Sequence, residues 1–201
     1  MCTNDDKNKI EVISVTSVFI GGSRRISRLN ETIINRLDTI MSKGFQVLLG
    51  DANGADKAVQ AYLNSKSYKN VTVYCSGNRC RNNVGRWQVN NISVSPRLKG
   101  REFYTVKDTQ MAEDGDYGFM IWDGKSLGSL NNVVTLLKWN KISLVYFSPE
   151  QRIYRIGNVK DLEEMIENAG QSGSKVYEQI KQNELIKTNS DRQMNFEFET
   201  V

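Results

Sequence analysis

The stretch VISVTSVFIGGSRR, Val12 to Arg25, decides how this chain is read. Its first nine residues, Val12 to Ile20, are rich in β-branched side chains and carry no charge, as expected of a strand buried on both faces. They run into Gly21 and Gly22, and then Ser23, Arg24 and Arg25. Beyond the glycines, Leu29, Ile33, Ile34, Leu37, Ile40 and Met41 recur at helical spacing, with Gly44 placed to end the helix. The same unit then repeats. Phe45–Leu49 is a short apolar run closed by Gly50, followed by the helical stripe Ala55, Ala58, Val59, Tyr62 and Leu63. Val71–Cys75, Tyr117–Trp122 and Ile142–Phe147 read as further strands, with a helix over Leu130–Trp139 between the last two. Between them, Ser76 to Gly100 is polar and without clear period, and Glu102–Glu113 reads as a helix with a weak apolar stripe.

Continuously apolar strands alternating with helices imply a five-stranded, mainly parallel sheet with helices on both faces. Right-handed crossovers gather the strand-to-helix loops of such a sheet along one edge, where open α/β sheets bind ligands. After Pro149 the pattern changes. Leu162, Met165, Ile166 and Ala169 make a short amphipathic helix, Val176–Ile186 a second, and the tail from Lys187 is polar. Residues 10–150 are therefore read as one ligand-binding domain, and residues 151–201 as a helical appendage packed on it or on a second subunit.

Composition narrows the chemistry. The chain has 201 residues, 39% of them hydrophobic, enough for one well-filled core. No apolar run is long enough to span a membrane, and the polar start Met1 to Lys9 lacks a signal peptide's apolar stretch, so a cytoplasmic protein is expected. There is no histidine, which excludes Ser-His-Asp and Cys-His catalysis and leaves carboxylates, lysine, tyrosine or a bound metal. The three cysteines, Cys2, Cys75 and Cys80, do not suggest a disulfide framework, and no metal site or cofactor is expected. From Lys57 through Arg101 there are no acidic residues but nine basic ones, including Arg79, Arg81, Arg86 and Arg101. Such a block either draws phosphate towards a site or is a solvated surface balanced by acidic neighbours elsewhere.

Three loops stand at carboxyl ends of strands. In the first, Gly21 and Gly22 let the backbone approach a ligand, while Ser23 and Arg24 offer donors to phosphate. In the second, Gly50-Asp51-Ala52-Asn53-Gly54-Ala55-Asp56, Gly54 leaves space above the loop, and Asp56 falls on the first turn of the next helix. In the third, Asp123 sits at a strand tip, placed to accept from ribose hydroxyls, with Gly124, Ser126, Gly128, Ser129 and Asn132 beyond it. Each loop alone is equally well an ordinary turn with a helix cap.

Together, in this order, the three loops resemble those of the SLOG superfamily of Rossmann-like nucleotide-binding domains, which are related to nucleoside 2-deoxyribosyltransferases. The resemblance spans about Val12 to Phe147. It implies a Rossmann-like three-layer fold, a nucleotide or nucleotide-sugar ligand held by the loop residues above, and a homodimer. In the catalytic members a glutamate follows the third loop's Gly-Thr. Here those places hold Ser129 and Asn132, and an asparagine cannot serve as nucleophile or general acid. Asp123, Asp51 and Glu31 are the carboxylates considered as substitutes.

Three functions follow, in order of preference. The first is binding or sensing of a nucleotide-derived phosphate ligand. The second is an N-glycosidase or transferase acting on nucleosides or nucleotides through a displaced carboxylate. The third is single-stranded nucleic-acid binding, for which Trp87 among the arginines would supply a stacking surface.

Overall fold

The computed structural model describes residues 15–183. Val12 to Ser14 of the first expected strand, the polar start, the last residues of the expected Val176–Ile186 helix and the tail from Lys187 lie outside them. Seven strands form one sheet in the order β4-β3-β2-β1-β5-β6-β7. They are β1 (Ser17–Gly22), β2 (Gln46–Gly50), β3 (Val71–Ser76), β4 (Gln88–Ile92), β5 (Tyr117–Trp122), β6 (Ser143–Phe147) and β7 (Arg152–Ile156). All neighbours pair in parallel except β6 and β7.

The expected count of five strands is thus corrected to seven. Both additions are edge strands, and edge strands do not read as apolar runs. β4, QVNNI, has one solvated side and lies inside the segment that shows no period. β7, RIYRI, is interrupted by the exposed Arg152 and Arg155 beside the buried Tyr154 and Ile156, and it lies where the appendage is expected to begin. A tight turn at Ser148–Glu150, with Gln151 left-handed at φ 53°, brings β7 back antiparallel along β6.

The helices are α1 (Glu31–Ser42), α2 (Ala55–Ser65), α3 (Gly100–Asp114), α4 (Leu127–Lys138) and α5 (Val159–Asn168), with further helix over residues 170–183. They cover both faces. Ile33, Leu37, Val59 and Leu63 of α1 and α2 pack on Val18, Ile20, Val47, Leu49 and Ile121 of the strands. Met111, Leu130, Leu136 and Met165 of α3, α4 and α5 pack on the alternate strand residues Phe19, Leu48, Met120, Trp122 and Val145. This period of two, apolar on both faces, is why each central strand reads as an unbroken hydrophobic run. No described helix is long and apolar enough to cross a membrane.

The strand order reverses between β1 and β5. From β1 the chain runs outward through β2, β3 and β4. It then returns to lay β5 along the other side of β1 before continuing to β6 and β7. The crevice at the carboxyl ends of β1 and β5 is therefore the place where this topology opens a pocket.

Candidate functional site

Ser23, the first residue beyond β1, ties the three loops into one body. Its amide donates to the Ile121 carbonyl at 2.9 Å, and its own carbonyl accepts from Ala55 at the start of α2 at 3.2 Å. Its hydroxyl donates to Asp123 Oδ1 at 3.0 Å and lies 3.3 Å from the Ser129 hydroxyl. Ser23 is fully buried by these contacts. Residues a hundred positions apart in sequence thus meet through one small polar side chain.

Asp123 is the centre of the third loop. Its Oδ1 also accepts from the amides of Lys125 at 3.0 Å and Ser126 at 2.7 Å, while Oδ2 faces the exposed Arg25 at 3.4 Å. Burial pushes its carboxyl up, but these amides, the Ser23 hydroxyl and the Arg25 guanidinium outweigh that, holding it below the ordinary value. It is an anion with one oxygen committed to the loop and the other facing the Arg25 guanidinium. Ser126 caps α4 by accepting from the Ser129 amide.

The second loop is occupied by charge. Asp51 is buried and takes a bidentate contact from Arg81, Nη2 to Oδ1 at 2.6 Å and Nε to Oδ2 at 3.1 Å, plus the Arg81 amide at 2.9 Å. Lys107 on α3, only 3% exposed, lies 4.0 Å from Asp51 and 2.5 Å from Asp108. Burial pushes Lys107 down, yet Asp108, Asp56 and Asp51 together raise it, so it stays a cation. Asp56, buried, is pushed up to about 6 by that burial, with Lys107 opposing and the charges of Asp108 and Asp51 adding. Gly50 makes this cluster possible, since a Cβ there would overlap the Asp56 carboxyl and stand 2.9 Å from the Lys107 ammonium. A buried lysine also explains the weak stripe of α3: an ion occupies a place where an apolar side chain is expected.

These elements enclose a cavity of about 640 Å³ at the carboxyl edge of the sheet. Of the expected ligand-binding residues, Gly21, Gly22, Arg24, Asp56, Asp123, Ser126, Gly128, Ser129 and Asn132 line it. Ser23, Gly50, Asp51, Gly54, Ala55 and Gly124 stand behind the wall. Of the three substitute carboxylates considered, only Asp123 reaches the cavity, with Asp51 behind Arg81 and Glu31 on the first turn of α1. The space expected above Gly54 is filled: it is left-handed at φ 84°, and a Cβ on it would overlap the Arg24 backbone. That glycine serves loop packing.

α3 supplies the wall that sequence reading did not assign. Arg101, Tyr104, Thr105, Lys107 and Asp108 all face the cavity, and Arg81 lies over the Tyr104 ring at 3.9 Å. Of the basic block, Arg81 and Arg101 reach the cavity and the other seven cations do not. The acid-free run was the available signal, but it could not say which two. Trp87 is not a stacking surface, because its ring is buried and its Nε1 donates to the Tyr68 carbonyl at 2.8 Å. Cys75 and Cys80 form a disulfide, contrary to the expectation from an odd cysteine count. The bridge spans a tight turn at Gly77 and leads directly into Arg81. Among the described residues no group of three or more acidic or cysteine side chains could hold a metal ion.

No protein-family model matches the chain, and no curated protein matches it. Among solved structures it is similar to DNA processing protein A from Helicobacter pylori, described for its single-stranded DNA binding mode. The likeness is one of fold. It has a TM-score of 0.54 at 15% identity and covers 83% of this chain and 81% of that one.

Proposed function

We propose that this chain is a SLOG-type module that binds a nucleotide-derived phosphate ligand in the cavity at the carboxyl edge of its sheet. The observation that carries this is the cavity's composition. It joins three loops from distant parts of the sequence at the strand-order switch, and its wall bears Arg24, Arg25, Arg81, Arg101, Lys107 and Lys125 against three carboxylates. Cations in a recess attract phosphate more strongly than cations on an open surface. We assign the ribose hydroxyls to Asp123, whose Oδ2 is shared with the exposed Arg25. A pocket of this volume is within the range that small ligands and cofactors occupy. The test is mass spectrometry of molecules released when the natively purified protein is denatured. A phosphorylated nucleoside derivative in stoichiometric amount supports the reading, and its absence, with no thermal shift by any nucleotide, removes it.

Single-stranded DNA is the second reading, supported by the likeness to the Helicobacter pylori protein and by the exposed rim arginines Arg24, Arg25 and Arg101. Anisotropy with a labelled oligothymidylate distinguishes it: affinity that falls steeply with added salt favours DNA. The resemblance also implies a homodimer, and the polar start a cytoplasmic protein, which light scattering and cell fractionation check.

A further inference from the structure

The wall cations fall into two groups with different partners. Arg81 and Lys107 lie on the floor, bound to Asp51 and Asp108, with Asp56 beside them. Arg25 faces Asp123. Arg24, Arg101 and Lys125 are exposed, line the same cavity and make no ion pair among the described residues. They come from three separate elements: the loop after β1, the first turn of α3 and the loop after β5. Arg24 lies over the Tyr104 ring at 5.7 Å, on the side chain that Arg81 also covers.

Resting on the nucleotide reading above, we propose that the ligand carries a diphosphate rather than a single phosphate, held across the cavity mouth by Arg24, Arg101 and Lys125. The floor cations are already matched by carboxylates, so adding a ligand anion there gains little. The mouth is different. Three exposed cations from three elements around one cavity, none of them within ion-pair distance of a carboxylate among the described residues and only Arg101 feeling Asp108, suit an anion that carries about three charges. A nucleoside diphosphate has that charge. A monophosphate has about two. Each matched contact to phosphate adds to affinity in a salt-dependent way.

The experiment is calorimetric titration of the full chain, at fixed ionic strength, with the mono- and diphosphates of adenosine, guanosine and uridine. For the base that binds best, the diphosphate is expected to bind at least tenfold tighter than its monophosphate. Arg101→Gln and Lys125→Gln should each weaken the diphosphate about tenfold and the monophosphate less than threefold. Lys57→Gln, an equal charge change on an exposed residue away from the cavity, should alter neither. Equal affinity for mono- and diphosphate, or equal loss of both in the mouth variants, overturns the diphosphate assignment and leaves nucleotide binding standing. No binding by any of the six overturns both. Binding of free pyrophosphate as tight as the nucleoside diphosphate retains the mouth site but removes the ribose contact at Asp123.

Discussion

Replacing Asp56 with asparagine should make this protein more stable at neutral pH. Asp56 is enclosed beside Gly50, receives one backbone bond from the Ala52 amide at 3.2 Å, and has Asp51 and Asp108 as like-charged neighbours. Its carboxyl titrates near 6 in the fold against 3.8 in the unfolded chain. The native state therefore binds the proton more tightly, and stability falls as pH rises from about 4 to about 6. Above that range the folded protein bears the whole cost, about 3 kcal/mol at 1.36 kcal/mol per pH unit. Asparagine carries no charge and keeps an oxygen to accept from Ala52. Lys107 loses one anionic neighbour, but Asp108 at 2.5 Å and Asp51 at 4.0 Å remain. Urea denaturation of Asp56→Asn should show a gain of about 2–3 kcal/mol at pH 7.5 that shrinks towards zero near pH 4. A variant less stable than the parent at pH 7.5 would mean that Asp56 is an indispensable partner of Lys107. A gain of the same size at both pH values would mean that its charge is irrelevant.

Lys107→Met should be destabilising by about 3–5 kcal/mol at pH 8, because it leaves buried carboxylates without their cation. The loss should be smaller at pH 5.5, where Asp56 protonates, and a pH-independent loss in denaturant titrations would contradict the ion-cluster account. Gly54→Val places a branched side chain at φ 84° against the Arg24 backbone, so it should lower the melting temperature by about 6–12 °C, from a cost of about 3 kcal/mol or more. A binding defect with unchanged melting would instead mean that residue 54 faces the ligand. Cys80→Ser opens a six-residue loop and should cost about 2 kcal/mol against the oxidised parent, with no difference once both are reduced. Equal stability of the oxidised parent and the variant would show that the bridge does not constrain the loop.

The central strands and their loops were legible because physics repeats itself there. A strand buried on both faces is a run of apolar residues, and a parallel sheet sends its loops to one edge. That reasoning brings Gly22, Asp123, Gly128 and Ser129 to one cavity from residue types and order alone. The edge strands were not legible, since Gln88–Ile92 keeps one side in water and Arg152–Ile156 is interrupted by arginine. Nor was the α3 wall. Sequence analysis assigns Lys107 no role, and only the packing of Asp51, Asp56 and Asp108 around it explains why it is buried. Ser23 and Asp51 read as ligand-binding residues because small polar residues in loops so often are. Here their bonding capacity is used within the protein, Ser23 to join loops and Asp51 to anchor Arg81.

The measurement that tests the account most directly is amide chemical-shift mapping of the isotope-labelled protein titrated with a nucleoside diphosphate. The account predicts saturable shifts confined to Gly22–Arg25, residues 100–108 and Asp123–Ser129, the segments that meet at the switch between β1 and β5. Amides at the opposite edge of the sheet, such as Gly44 and Asn140, should not move. Shifts centred on β4 or on α5, or no shift with any nucleotide at millimolar concentration, would contradict a ligand site in this cavity.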